Sequence, residues 1–195
     1  MRVVSLIALA VFTTAPAMAQ ERPTQKDPGS IGAGRDDAQM QGKASKMTRS
    51  FTMAAASGNA LEVETSRVAL EKSQNQDIRS FAQMMVDDHT KVGQEMKATL
   101  EKAGLTAPAD KLTPRHQDIV NKLNQAGQGK FDGQYVAAQI KAHDEAINLF
   151  SSYAKSGDNA ELKQFAEATL PSLQKHKTAA EDLRAKVVGG SNATQ

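Results

Sequence analysis

Apolar side chains recur at helical spacing through four long stretches of this chain, and polar segments separate them. Over 45–73, Phe51, Ala54, Gly58, Leu61, Thr65 and Val68 form one stripe, the three-and-four spacing of a helix that buries one face. Gly58 lies inside it, at a cost of about 1 kcal/mol against Ala, and marks a close helix crossing or a break. A polar turn follows, with Asn75 placed to cap a second helix. That helix runs along Phe81, Met85, Val92 and Met96 to about Ala103, where Gly104 supplies a stop. Residues 105–112 form a connector containing Pro108. Thr113 and Pro114 then signal a short helix over 115–125, closed by Gly127 and Gly129. A third long stripe runs along Val136, Ile140, His143, Ile147, Phe150 and Ala154, with Asp132 as the expected cap and Phe131 and Val136 stapled across it. After Gly157, Asp158 and Glu161 have capping-box spacing. The last stripe follows Leu162, Phe165, Thr169, Leu173, His176, Ala180, Leu183 and Val187, and Pro171 is expected to bend it or widen a turn.

The two halves repeat. Lys72-Ser73, a polar turn and Arg79-Ser80-Phe81-Ala82-Gln83 recur as Lys155-Ser156, a polar turn and Lys163-Gln164-Phe165-Ala166-Glu167. Neither helix pair can bury its stripe alone. The expected fold is therefore all-α: an antiparallel four-helix bundle of two helix hairpins over 45–188, with a short connecting helix, before a tail at 189–195.

The amino terminus follows a different pattern. Arg2, an apolar run over 3–12 and Ala17-Met18-Ala19 read as a signal peptide at 1–19, cleaved near Ala19, so the expected location is periplasmic or secreted. The run is too short to span a membrane, and no second apolar segment predicts a transmembrane span in the mature chain. Residues 20–44, rich in Gly, Pro, Asp and Gln, read as a disordered linker. Of 24 basic residues only Arg2 falls in the leader, which leaves 23 against 22 acidic ones. That balance argues against a nucleic-acid partner. The absence of cysteine excludes disulfides, thiolate metal sites and a thiol nucleophile.

Three of the four histidines fall where core side chains belong: His89, His143 and His176, each on a different apolar stripe. At 1.5 Å per residue, Glu62 and His89 lie roughly 20 Å from the first hairpin turn. His143 lies roughly 21 Å back from the second turn and His176 roughly 27 Å beyond it, one helical turn past level unless Pro171 introduces a bulge. Imidazoles and a carboxylate brought to one height suit a divalent transition metal, Fe, Zn, Cu or Mn. The competing reading makes each His a satisfied core residue, bonded to Asp87, Asp88 or Asp144. Met84, Met85 and Met96 at core spacing read as packing rather than copper thioethers. Asp87 and Asp88 are candidates to orient His89.

FAQMMVDDHTK, HDEAINLF and LKQFAEATLPSLQKH resemble the DUF4142 family of exported bacterial proteins, over about residues 50–183. The resemblance implies a ferritin-like four-helix fold and an exported location, with no established activity. Ferritin-like di-iron proteins carry Glu on two helices and Glu-x-x-His on the other two. Glu62 and Glu145 match the first role by position, and His89 and His176 supply the histidines. Val86 and Leu173, however, stand where the bridging carboxylates would be, which argues against a di-iron centre.

Three functions follow in order of support. The first is a periplasmic bundle binding one divalent metal through Glu62, His89, His143 and His176, with Glu145 as an alternate ligand. The second is a metal-free interaction or stress-protective module meeting an envelope protein or a second copy of itself. An enzyme comes last, since no acid/base or nucleophile constellation stands out.

Overall fold

The computed structural model describes residues 44–191. The expected signal peptide and all but Ala44 of the expected linker lie outside these residues. Five helices follow one another: α1 (Lys46–Lys72), α2 (Gln76–Lys102), α3 (Pro114–Gln125), α4 (Gln128–Ser156) and α5 (Ala160–Ser191). No strand occurs among the described residues.

Local chemistry sets most of the ends. Ser45 caps α1, its hydroxyl accepting from Thr48 N at 2.9 Å, and Asn75 caps α2 by accepting from Asp77 N at 2.9 Å. Gly104, at φ 69°, takes the left-handed conformation that lets the chain fold back after α2, with Leu105 N donating to Leu100 O at 2.9 Å. Thr113 and Pro114 open α3 as expected, the Thr113 hydroxyl accepting from His116 N.

Four expectations need correction. α4 starts at Gln128, with Gly127 as its cap, rather than at Asp132: the Gly127 carbonyl accepts from Lys130 N and Phe131 N, both at 3.0 Å, so the helix runs on through Gly129. Asn159, not Asp158, caps α5, accepting from Leu162 N at 2.9 Å, while Asp158 accepts from Thr48 Oγ1 of α1 at 2.7 Å. Helical structure is unbroken through Pro171 and continues past Gly189 to Ser191.

α1 packs against α2 and α4, and α5 packs against the same two. Phe51 near the start of α1 stacks on Tyr153 near the end of α4, with centroids 4.0 Å apart, and Asp77 at the start of α2 meets Lys186 near the end of α5 at 3.1 Å. All four neighbouring pairs are thus antiparallel, while α2 and α4, on a diagonal, run the same way. The segment 103–127 must therefore travel the length of the bundle. Two antiparallel hairpins joined by one long crossover form the ferritin-like topology. The crossover is tied along α1: Thr113 N donates to Ser57 Oγ at 3.0 Å, and Lys72 Nζ donates to Ala126 O at 2.9 Å and to Asn124 O.

The core falls into two apolar clusters. Leu61, Val68, Ile78, Phe81, Met85 and Tyr135 belong to the one near the α1–α2 turn, and Phe51, Met96, Leu100, Phe150, Leu162 and Phe165 to the one at the opposite end. Between them sits a buried polar layer containing Glu62, His89, His143 and His176.

Candidate metal centre

Each long helix contributes one side chain to this layer: Glu62 from α1, His89 from α2, His143 from α4 and His176 from α5. The histidines are 1%, 0% and 2% exposed, and Glu62 is 2% exposed. The ring centroids form a nearly equilateral triangle, with His89–His143 at 5.6 Å, His89–His176 at 5.4 Å and His143–His176 at 5.5 Å. One nitrogen from each ring lies within 4.8 Å of the other two.

Each ring uses one nitrogen to bond outward. His89 Nδ1 lies 3.1 Å from Asn59 Oδ1 and 3.0 Å from Glu62 Oε2. His143 Nδ1 donates to the Gln139 carbonyl at 2.8 Å, and His176 Nε2 donates to Asp88 Oδ2 at 2.8 Å. Every one of these partners is an acceptor, so the proton sits on the outward nitrogen. The remaining nitrogens, His89 Nε2, His143 Nε2 and His176 Nδ1, are buried without a hydrogen-bond partner. In the neutral ring such a nitrogen carries a lone pair, the form that ligates a metal, and an outward N–H bonded to a carboxylate or carbonyl is the usual orienting contact of a ligating His.

Burial keeps the layer uncharged. It lowers His89 well below the ordinary imidazole range, with the rings of His143 and His176 adding to the effect. It pushes His143 down to about 4, the bond to Gln139 offsetting only part of the shift. His176 is also lowered, burial outweighing the upward pull of Asp88. Desolvation pushes the Glu62 carboxyl up to about 8. Glu62 thus stands at ion-pair distance from His89 Nδ1 and from His143 Nδ1, the latter at 3.2 Å, yet both sides are neutral at pH 7 because burial penalises each charged form.

The structure brings Glu62, His89, His143 and His176 together, with Glu62 on the outward side of His89 and His143. Glu145 is elsewhere: it is exposed and gripped by Arg115 at 2.5 and 3.1 Å. Asp88 orients His176 across the bundle rather than its neighbour His89, and Asp87 accepts from Gln83 on the exposed surface. Adjacent residues on a helix do not face one another, which is why neither reaches His89. Met85 and Met96 pack in opposite apolar clusters. Gly58 neither breaks α1 nor marks a crossing, since an added Cβ would meet nothing within 4 Å; the close approach is at Gly93, where a Cβ would come 3.1 Å from Asn59 Nδ2. Two partners went unanticipated, Asn59 and Gln139. Gln139 carried a signal, a polar residue one turn before His143 on a buried face; its Nε2 donates to Thr65 Oγ1 at 2.9 Å.

A family model described as a domain of unknown function, DUF4142, matches residues 33–183. Among solved structures, the crystal structure of a DUF305 fragment from Deinococcus radiodurans is similar, with a TM-score of 0.64 at 17% identity, covering 73% of this chain and 98% of that one. This is a likeness of fold. No curated protein matches the chain.

Proposed function

The chain belongs to the DUF4142 family, and from that footing we propose that its bundle binds one divalent transition metal through His89, His143 and His176. The observation behind the reading is the convergence of three partnerless, buried imidazole nitrogens from three helices, each ring held by an outward bond. A buried polar atom without a partner costs about 1–3 kcal/mol, so three cost roughly 3–9 kcal/mol. A domain of this size is stable by only about 5–15 kcal/mol. A cation on the three lone pairs removes that cost. Zinc, copper, iron and manganese all accept imidazole donors.

Three nitrogen donors leave a coordination position open, the arrangement of exchangeable or reactive sites rather than closed structural ones. Glu62 then acts from outside the ligand set, balancing charge behind His89 and His143. With Val86 and Leu173 in place of bridging carboxylates, the site takes one ion and not two. Storage, sensing or redox protection in an exported protein fits this chemistry.

Titration of the chelator-treated protein with Co²⁺ and Zn²⁺, followed by visible absorption and thermal melting, tests the reading. At a metal concentration a hundred times the dissociation constant, the domain gains about 2.7 kcal/mol. Binding no tighter than millimolar, or binding unchanged in a His89→Ala/His176→Ala variant, defeats it. Export is tested separately by amino-terminal sequencing of the protein from cell fractions, with a start at Gln20 expected.

A further inference from the structure

Against the imidazole layer, on the side of the Phe51–Phe150 cluster, lies a cavity of about 460 Å³, within the range of small-molecule sites. Small side chains make it: Ala55 and Gly58 of α1, Gly93 of α2, and Ala142 and Ala146 of α4 leave a space that Met96 and Phe150 do not fill. Its walls are mainly apolar, and the polar groups sit at two ends. Thr113, Arg115 and His116 of the crossover stand at one, where Arg115 is committed to Glu145 and His116 Nδ1 lies 2.8 Å from Ser57 Oγ. Glu62, Asn59 and His89 stand at the other. There Glu62 Oε1 is turned to His143, 3.2 Å from its Nδ1 and off the cavity, while Glu62 Oε2 lies 3.0 Å from Nδ1 of His89, which with Asn59 lines this end.

We propose that this cavity binds a small organic alcohol or phenol, its apolar body between α1, α2 and α4 and its hydroxyl at the polar end formed by Asn59 and the Glu62 carboxyl group. A hydroxyl both donates and accepts, so it pairs with the carboxyl group whether or not that group carries its proton. A carboxylate would give up its hydration to the same apolar surroundings that hold Glu62 protonated. An ammonium would surrender its hydration to mostly apolar walls. The site shares a wall with the proposed metal centre but needs no metal, and stands or falls separately from it.

The experiment is titration of the full chain with 4-ethylphenol, and with ethylbenzene as the analogue lacking the hydroxyl, read by chemical-shift changes of the amides lining the cavity. Saturable binding of 4-ethylphenol is expected, on the order of tenfold tighter than ethylbenzene, the effect of one buried hydrogen bond. Gly58→Leu fills the space from a position where an added Cβ meets nothing within 4 Å, and Ala146→Leu fills it from the opposite helix. Each should abolish 4-ethylphenol binding while leaving helical content and Co²⁺ binding as in the parent. Absence of binding at millimolar 4-ethylphenol, equal affinity for the two compounds, or undiminished binding in a folded filled variant overturns the proposal. Loss of Co²⁺ binding by the parent with 4-ethylphenol binding intact would count against the metal reading alone.

Discussion

Replacing Glu62 by Gln in the metal-free protein isolates the energetic consequence of burying this carboxyl group. In the folded chain burial raises it from 4.5 to about 8, so the native state keeps a proton that the unfolded chain releases. Stability from this source is complete below pH 4.5 and is lost as pH rises through about 8. The imidazoles act oppositely. Folded values below 6.5 mean that stability is lost as pH falls from 6.5, toward about 4 for His143. At pH 6.5 each imidazole is still half protonated in the unfolded chain, so between pH 6.5 and 8 the three together add roughly 1 kcal/mol of stability; they do so in parent and Glu62→Gln alike, and Glu62 is therefore read from the difference between the two proteins. That interval spans roughly 1.5 pH units, and at about 1.4 kcal/mol per unit the Glu62 contribution falls by roughly 2 kcal/mol. Glu62 is 2% exposed, so solvent screening takes little of this away. Urea denaturation with chelator present, at half-unit intervals from pH 6.5 to 8, should show Glu62→Gln rising slightly and the parent falling against it by roughly 2 kcal/mol. Parallel curves would refute the reasoning.

Other perturbations follow from the same contacts. Asp88→Ala removes the acceptor that sets the His176 ring and should weaken Co²⁺ binding about 10- to 100-fold, the usual effect of losing such a partner; because Asp88 is half exposed, water can reach the freed His176 N–H, and the apo protein should lose no more than about 1 kcal/mol. Binding of Zn²⁺ at pH 7 should release a proton from Glu62, seen as a dependence of calorimetric heat on buffer ionisation that Glu62→Gln abolishes. Phe51→Ala, which empties the space against Phe150 and Tyr153, should cost about 3–5 kcal/mol by denaturant titration without changing the Co²⁺ spectrum.

The helices were readable because each carries a stripe of its own and an end made from its own residues, as at Asn75 and Thr113. The exceptions involve residues with two uses. Asp158 has capping-box spacing, but its carboxylate serves Thr48 on another helix, and the cap passes to Asn159. The three histidines on core stripes were equally legible, whereas their partners Asn59, Asp88 and Gln139 depend on rotamers and helix rotation that spacing does not carry. The apparent one-turn misfit of His176 has a geometric origin. Cα–Cβ bonds tilt toward the helix amino terminus, so on the first helix of a hairpin side chains lean away from the turn and on the second they lean toward it. His143 and His176 therefore meet although their backbones are not level, and the expected bulge at Pro171 is unnecessary; counted from the helix ends at Lys72 and Gln76, rather than from the middle of the turn, Glu62 and His89 show the same offset of three residues.

What separates this bundle from a di-iron carboxylate site is charge rather than topology. Carboxylates on every helix would confront two cations with enough negative charge to hold both, but would repel one another in an apolar interior without them. Here Val86 and Leu173 stand where two of those carboxylates would be, the three inward imidazoles are neutral, and the single carboxyl group of the layer is held protonated by its surroundings. Such a layer needs no cation to offset charge, since nothing in it must be ionised. It still leaves three lone pairs unpaired at its centre. A divalent ion placed there brings charge that favours ionised Glu62, so occupancy and the protonation of Glu62 are coupled through the rings of His89 and His143. Because Glu62 also lines the cavity, that coupling would connect occupancy of the proposed metal centre to the proposed ligand site beside it.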